Sequence, residues 1–196
     1  MNSIVFLDEI DALLGKRRSD NNSENEGSRR FKTEFMVQME GICAGGNNED
    51  GAERKVLLIG CTNCPWDIDD AVMRRFQRRI YVPLPDLDAR KALWKKLLNK
   101  GGSNISISSQ DTAKMIRMTE GFSCSDILSI ANEAAFGPLR DIDSIEEIVG
   151  MKKGNVRKIQ SNDFLKAIQG AKKSVSSRLL KKYDEWEREQ TARGSI

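Results

Sequence analysis

The sequence has 196 residues and no histidine. That absence excludes a Ser-His-Asp or Cys-His catalytic centre, and any histidine-ligated metal site, built from these residues alone. Cysteine is scarce: Cys43, Cys61, Cys64 and Cys124. Cys61 and Cys64 form a lone C-x-x-C. No second pair completes a zinc site, and Pro65-Trp66 follows where a redox motif opens a helix. The cysteines are therefore expected to act as small core hydrophobes. No run of about 18 apolar residues is present, so no membrane-spanning helix is expected. The opening MNSIVFLDEIDALL does not read as a signal peptide. Asp8, Glu9 and Asp11 interrupt its apolar run, and no basic residue precedes it. Neither sign of charge dominates: 32 Lys and Arg against 29 Asp and Glu leave +3. This gives no general case for nucleic-acid binding. One or two domains and a cytoplasmic or nuclear location are expected.

What is present reads as α/β. Residues 4–7 (IVFL), 56–59 (VLLI) and 80–82 (IYV) are short apolar runs without alternation. Such runs predict strands buried on both faces of a parallel sheet. Between the first two, Phe31, Phe35, Val37, Met39 and Ile42 mark a helix, giving the order β-α-β. Residues 19–28 and 44–53 are polar and read as exposed loops. After Pro83 and Pro85 the pattern turns helical. Ala92, Leu93 and Leu97 form one stripe; Ile127, Ile130, Ala131 and Ala134 form another, behind a Ser123-to-Asp126 capping box. Gly137-Pro138 is expected to stop that helix. Ser161 is expected to cap a helix carrying Phe164, Leu165 and Ile168. A last helix from about Ser176 places Leu179, Tyr183 and Trp186 on one face. The expected domains are residues 1–85, a helical domain over 86–175, and a terminal helix and tail over 176–196.

Three elements carry chemistry. Asp8 and Glu9 follow the first apolar run, and ligands of open α/β sheets sit outside the carboxyl ends of the strands. The first acid can hold a magnesium ion; the second can deprotonate an attacking water. A strand ending in a polar turn gives the same two letters. Asn63 ends the next strand, where its amide reaches a terminal phosphate, or where it merely forms a turn. The run Arg74-Arg75-Phe76-Gln77-Arg78-Arg79 offers forks that suit phosphate, or a solvated basic face.

Together these elements resemble the AAA ATPases. SIVFLDEIDALLGKR resembles the family's Walker-B segment, and SRRFKTEFMVQMEG the helix that follows it. LIGCTNCPWDIDDAVMRRFQRRIYVPLPD resembles its second region of homology. GFSCSDILSIANEAAFGPLR resembles the small-domain helix beside the adenine. Within the family the chain is similar to the group holding katanin, spastin, fidgetin and the vacuolar-sorting ATPase, with AAFGPLR nearest to spastin and fidgetin. The resemblance implies that Asp8 is the magnesium-site acid, Glu9 the catalytic base, Asn63 the first sensor, and Arg74 and Arg75 the arginine fingers. Gly121, Ser123 and Cys124 would lie at the nucleotide, with Cys124 where glycine is usual. Ser28, Arg29 and Arg30 would border a pore loop that touches substrate. ATP and Mg2+ are the implied cofactors. A ring of copies of this chain, of hexamer size, is the implied assembly, and tubulin in microtubules the implied substrate. Disassembly of membrane-remodelling filaments is the alternative, and a non-catalytic interaction module is another.

The expected fold is thus a partial parallel-sheet AAA large domain followed by a helical lid domain. The 196 residues contain no G-x-x-x-x-G-K-[ST]; Gly15-Lys16 continues with Arg17 and lies after the Walker-B run. The family places its phosphate loop ahead of that run, so the sequence reads as a fragment beginning at the Walker-B strand. A polypeptide of these 196 residues is accordingly expected to bind Mg-ATP poorly, because the backbone N–H groups that cradle phosphates supply most of the binding. Calorimetric titration checks this, and a dissociation constant in the low micromolar range would contradict it.

Overall fold

A computed structural model describes residues 3–16, 26–43, 56–142 and 156–192. They fall into two compact units, Met1–Tyr81 with Tyr183–Ile196, and Val82–Lys182. No described helix is long and apolar enough to cross a membrane.

In the first unit, β1 (Ser3–Leu7) and β2 (Val56–Gly60) pair in parallel, in register from Ser3↔Val56 to Leu7↔Gly60. Parallel strands need a long crossover. Here it carries α1 (Ile10–Leu14) and α2 (Glu26–Cys43), as the β-α-β order predicts. Helix α2 begins at Glu26, so residues 26–28 are helical and not loop. The first turn of a helix tolerates such polar residues because its N–H groups need no intrahelical partner. Residues 44–53 lie outside the described residues. After β2 come a 3-10 turn (Pro65–Asp67) and α3 (Asp70–Arg75), capped by the Asp69 carboxylate, which accepts from Ala71 N–H at 2.8 Å.

Two expectations fail here. Residues 80–82 form no strand; Ile80 and Val82 are 83% and 81% exposed. A strand must share a ladder with a neighbour, and none of the described strands pairs with this run. Nor are β1 and β2 buried on both faces, since Ile4 is 72% and Phe6 61% exposed. The core of this unit lies beyond the strand ends instead. Ile10, Leu14, Ile68 and Val72 are buried there, with Leu7, Phe35, Met36, Met73 and Phe76 against them.

The second unit is helical: α4 (Leu87–Gly101), α5 (Ser109–Met118), α6 (Cys124–Ala135), α7 (Gly137–Arg140) and α8 (Ser161–Gly170). A two-residue parallel pair, β3 (Ile105–Ser106) and β4 (Ile159–Gln160), joins them. Side chains of Asp86, Ser108 and Ser123 cap three helix starts. The expected capping box of Ser123 with Asp126 forms. The cap of α8 is Gln160 and not Ser161, because Gln160 is extended and its backbone N–H donates to Asp163 Oδ2, three residues on, at 2.8 Å. Trp94, Met115, Phe122, Ile127, Ile130, Ala134, Phe164 and Ile168 form the core. Trp94 meets Phe164 edge to face at 5.8 Å, and its indole N–H donates to Thr119 Oγ1 at 3.1 Å. A last helix, α9 (Ser177–Ala192), begins in this unit; its residues from Tyr183 onward belong to the first.

One buried acid anchors the far side of this unit. Asp163 accepts from the Arg157 guanidinium at 2.7 and 2.9 Å. That contact holds its carboxyl below the usual range, against the upward push of burial. Gly137 is required beside it, since a Cβ there would lie 2.5 Å from Asp163 Oδ1. A depressed carboxyl contributes stability above its unfolded pKa of about 3.9 and loses it as pH falls through the folded value. Arg157→Met is therefore expected to lower the melting temperature at neutral pH. Thermal unfolding by circular dichroism should show the gap to the native chain closing as pH falls below about 4.

Candidate functional site

The parallel register sets the site. Leu7 and Gly60 are partners, so Asp8-Glu9 and Cys61-Thr62-Asn63 leave the same sheet edge side by side. Two backbone bonds fix them: Cys61 N–H donates to Leu7 C=O at 2.8 Å, and Ile10 N–H to Cys61 C=O at 3.0 Å. Asp8 is exposed, and one carboxylate oxygen accepts from Glu9 N–H at 3.0 Å. Glu9 caps α1 in the left-handed region, φ 51° and ψ 45°. Among the described residues no other non-glycine has positive φ. That conformation costs an L-residue about 1–2 kcal/mol. Strain of this kind collects at functional sites, and here it falls on Glu9, which is exposed at the strand end.

Asp11 and Thr62 support this edge, a pairing that no pattern in the sequence signals. Thr62 Oγ1 donates to Asp11 Oδ1 and accepts from Cys64 N–H at 2.9 Å. One hydroxyl thus ties α1 to the turn that carries Asn63. Tyr183 of α9 holds that turn from the other side. Its hydroxyl donates to Asn63 C=O, and its ring meets Trp66 at 5.1 Å and Tyr81 at 5.9 Å. Burial pushes the Tyr183 phenol up, and the nearby Cys64, Tyr81 and Asp11 add to it, so the phenol stays a donor at neutral pH. The Asn63 side chain itself is exposed at the edge.

Asp8, Glu9 and Asn63 are therefore brought together, whereas Arg74 and Arg75 stand apart on α3. Arg74 is exposed. It lines a cavity of about 380 Å³ with Lys16, Asp70, Arg79, Trp66 and Trp186. Arg75 turns inward, donating to Ala71 C=O at 2.7 Å and to the Glu40 carboxylate. Arg79 bonds Met73 C=O at 2.7 Å and the buried Gln190 of α9. On α2, Arg29 and Arg30 line a shallow recess with Thr33 and Glu34. Ser28 lies on the same helix, its side chain outside the described set. One turn on, Lys32 Nζ donates to Gly15 C=O at the end of α1 at 2.9 Å.

In the second unit Gly121, Ser123 and Cys124 lie together at the start of α6. Gly121 has φ 76°, which favours glycine. Lys173 approaches it closely, and its ammonium lies 5.6 Å from the Phe122 ring centroid. Cys124 is exposed at the first helical position. Burial pushes the Asp126 carboxyl up, but bonds from Ser123 and Ser174 outweigh it and hold it below the ordinary value.

The donor set suits magnesium rather than zinc. Asp8 offers an exposed hard oxygen with its second oxygen uncommitted by any hydrogen bond to Glu9. No three His, Cys, Asp or Glu side chains cluster as a cage among the described residues. Mg2+ commonly takes one or two carboxylates and fills its shell with phosphate oxygens and water.

The chain is similar to known proteins along most of its length. Residues 1–84 match the model of the ATPase family associated with various cellular activities (AAA). Residues 141–190 match the Vps4 C terminal oligomerisation domain. Spastin of Naegleria gruberi is 41% identical over 184 residues, covering 94% of this chain and 33% of that protein. Spastin of Homo sapiens is 38% identical over 187 residues, covering 95% and 28%. The chain thus spans about a third of the length of the curated relatives it matches. The crystal structure of the FIGL-1 AAA domain superimposes with a TM-score of 0.78 at 33% identity, covering 95% of this chain and 56% of that one. The same domain in complex with ADP gives 0.78. A structure from a study of katanin self-assembly gives 0.66 at 32% identity, covering 93% and 57%.

Proposed function

We propose that this chain, whose residues 1–84 match the AAA ATPase model, supplies the water-activating acid, the metal-site acid, two trans-acting arginines and the lid of a ring motor that hydrolyses ATP to sever microtubules. The observation that carries this is the strand edge, where Asp8, the strained Glu9 and Asn63 are held by Leu7–Cys61 and Cys61–Ile10 backbone bonds. The site residues take the following roles. Asp8 would hold Mg2+, which supplies positive charge beside the phosphate oxygens. Glu9 accepts the proton of the attacking water. Asn63 donates an amide N–H to the terminal phosphate or to that water. Arg74 and Arg75, at the end of α3, reach the site of the neighbouring subunit in the ring. Gly121, Ser123 and Cys124 line the adenine side. Arg29 and Arg30, with Ser28, meet the substrate at the pore. Relatives named spastin and the katanin structure support a severing motor, and the match to an oligomerisation domain supports a ring. A cytoplasmic, cytoskeleton-associated location follows from the same reading.

Two outcomes check the chemistry in the full-length protein. Glu9→Gln keeps nucleotide binding and lowers turnover at least about a hundredfold, the scale of general-base catalysis, because an amide cannot take the water's proton. Wild-type turnover would reduce Glu9 to a strand-end residue. Arg74→Ala lowers turnover by about a thousandfold. Mixing Arg74→Ala with Glu9→Gln subunits restores part of it, since the second lends its arginine to the first's intact Glu9. Absence of recovery in mixed rings seen by native mass spectrometry would count against trans action.

The substrate is checked separately. Arg29 and Arg30 raise the local concentration of acidic peptide, an attraction screened over about 10 Å at 0.1 M salt. ATPase rate is therefore expected to rise with intact microtubules, less at higher salt, and not with microtubules whose acidic tails have been removed by protease. Equal stimulation by both would remove tubulin tails as the substrate and favour filament disassembly at membranes.

A further inference from the structure

Helix α3 carries both arginines of the proposed trans site, and its six residues are too few to hold themselves. Its start is fixed by the Asp69 cap and its middle by buried Val72. Its end has no local closure. The chain leaves α3 at Phe76 in extended backbone, φ −79° and ψ 101°, without the glycine turn that commonly satisfies a helix's last carbonyls. Arg79 closes the helix from four residues beyond its end. One terminal nitrogen of its guanidinium donates to Met73 C=O at 2.7 Å, which brings a cation to the carbonyl end of α3, where the helix dipole favours one. The other donates to the side-chain oxygen of Gln190 in α9. Gln190 is 4% exposed, whereas Glu189 and Thr191 on either side of it are exposed. Glutamine is mostly a surface residue, and a buried one is held by its hydrogen bonds. Gln190, Arg79 and Arg74 line the same cavity of about 380 Å³.

We propose that Gln190 is a positioning residue for the arginines at the end of α3. By holding Arg79, which in turn holds Met73, it fixes the direction in which α3 presents Arg74 and Arg75 to the neighbouring subunit. This rests on the ring-ATPase reading. A second role is open to the same helix, because Tyr183 of α9 holds the Asn63 turn of its own subunit. The two roles separate by which subunit's site fails when Gln190 is changed.

In the full-length protein, Gln190→Leu keeps an apolar filling of similar size but removes the acceptor. It is expected to lower kcat about tenfold with KM for ATP little changed, since misplacing a catalytic group by about 1 Å can cost about a hundredfold. Gln190→Glu, which keeps an oxygen for Arg79, retains most of the rate. Gln190→Leu combined with Arg79→Met is no slower than Arg79→Met alone, because the two side chains act as one unit. Mixing Gln190→Leu with Glu9→Gln subunits restores hydrolysis, because Glu9→Gln subunits present correctly aimed arginines to the intact Glu9 of the others. A loosened Asn63 turn predicts the opposite: the Gln190→Leu subunit's own site would then be impaired, and no mixture could mend it. An unchanged kcat in Gln190→Leu overturns the proposal. So does a Gln190→Glu variant as slow as Gln190→Leu, or a double variant in which the two losses multiply. Loss of rings in native mass spectrometry of Gln190→Leu would make the residue one of assembly, and failure of its mixture where the Arg74→Ala mixture recovers would place the defect in its own site; either overturns the proposal. Failure of the Arg74→Ala mixture as well would bring down the ring reading itself, and the proposal with it.

Discussion

The site depends on the registry of two parallel strands at their carboxyl ends. A slip of one residue would turn each strand's side chains to the opposite face. It would also move Asp8 and Glu9 away from Cys61 and Asn63. The Leu7–Cys61 and Cys61–Ile10 bonds extend the ladder one step past the last strand residues. They also start α1, because Ile10 is its first residue. The ladder's end is therefore the beginning of the helix, and Glu9 occupies the single residue between them. The left-handed backbone of Glu9 follows from that economy of chain. One residue must reverse direction from strand to helix, and its strain of about 1–2 kcal/mol is offset by the burial of Ile10 and Leu14.

Around this edge lie braces of three different kinds. Thr62 and Asp11 join the turn to α1 by a hydroxyl. Tyr183 joins the same turn to α9 by a phenol and two ring contacts. Lys32 joins α2 to α1 by donating to a carbonyl, and Glu40 joins α2 to α3 by an ion pair. Exposed ion pairs contribute little to stability, typically below about 1 kcal/mol. Their use here is geometric, since each fixes the end of a helix too short to be rigid by itself.

Much of this was legible in the sequence. The apolar runs before Asp8 and Cys61 announced parallel strands, and Ser123 with Asp126 announced a helix start, because each pattern has a local physical cause. The third strand was not legible as a failure. Residues 80–82 have strand composition, but forming a strand is decided by a neighbour that local sequence does not name. For the same reason the run before Asp8 suggested burial that Ile4 and Phe6 do not show. The pairing of Thr62 with Asp11 spans 51 positions, and that of Tyr183 with Asn63 spans 120. No periodicity or cap signal carries contacts at such range. Gln160 displaced Ser161 as the cap because backbone conformation, and not the better hydroxyl, chose the position. For the arginines, the residue types pointed to phosphate. Only the surroundings separate Arg74, which is exposed, from Arg75, which is tied to Glu40.

The return of α9 to the first unit has a consequence for synthesis. That unit is made of two stretches, Met1–Tyr81 and Tyr183–Ile196, separated by the whole of Val82–Lys182. A ribosome delivers the intervening residues first, at about 5–20 residues per second. The helical unit is continuous and has its own core, so it can close before Tyr183 and Gln190 have packed onto the first unit's earlier stretch. During those seconds the turn of Asn63 lacks its phenol and Arg79 lacks its amide. The turn of Asn63 is therefore braced only when α9 arrives. Order of emergence, as much as strength of contact, then governs when the candidate nucleotide edge is completed.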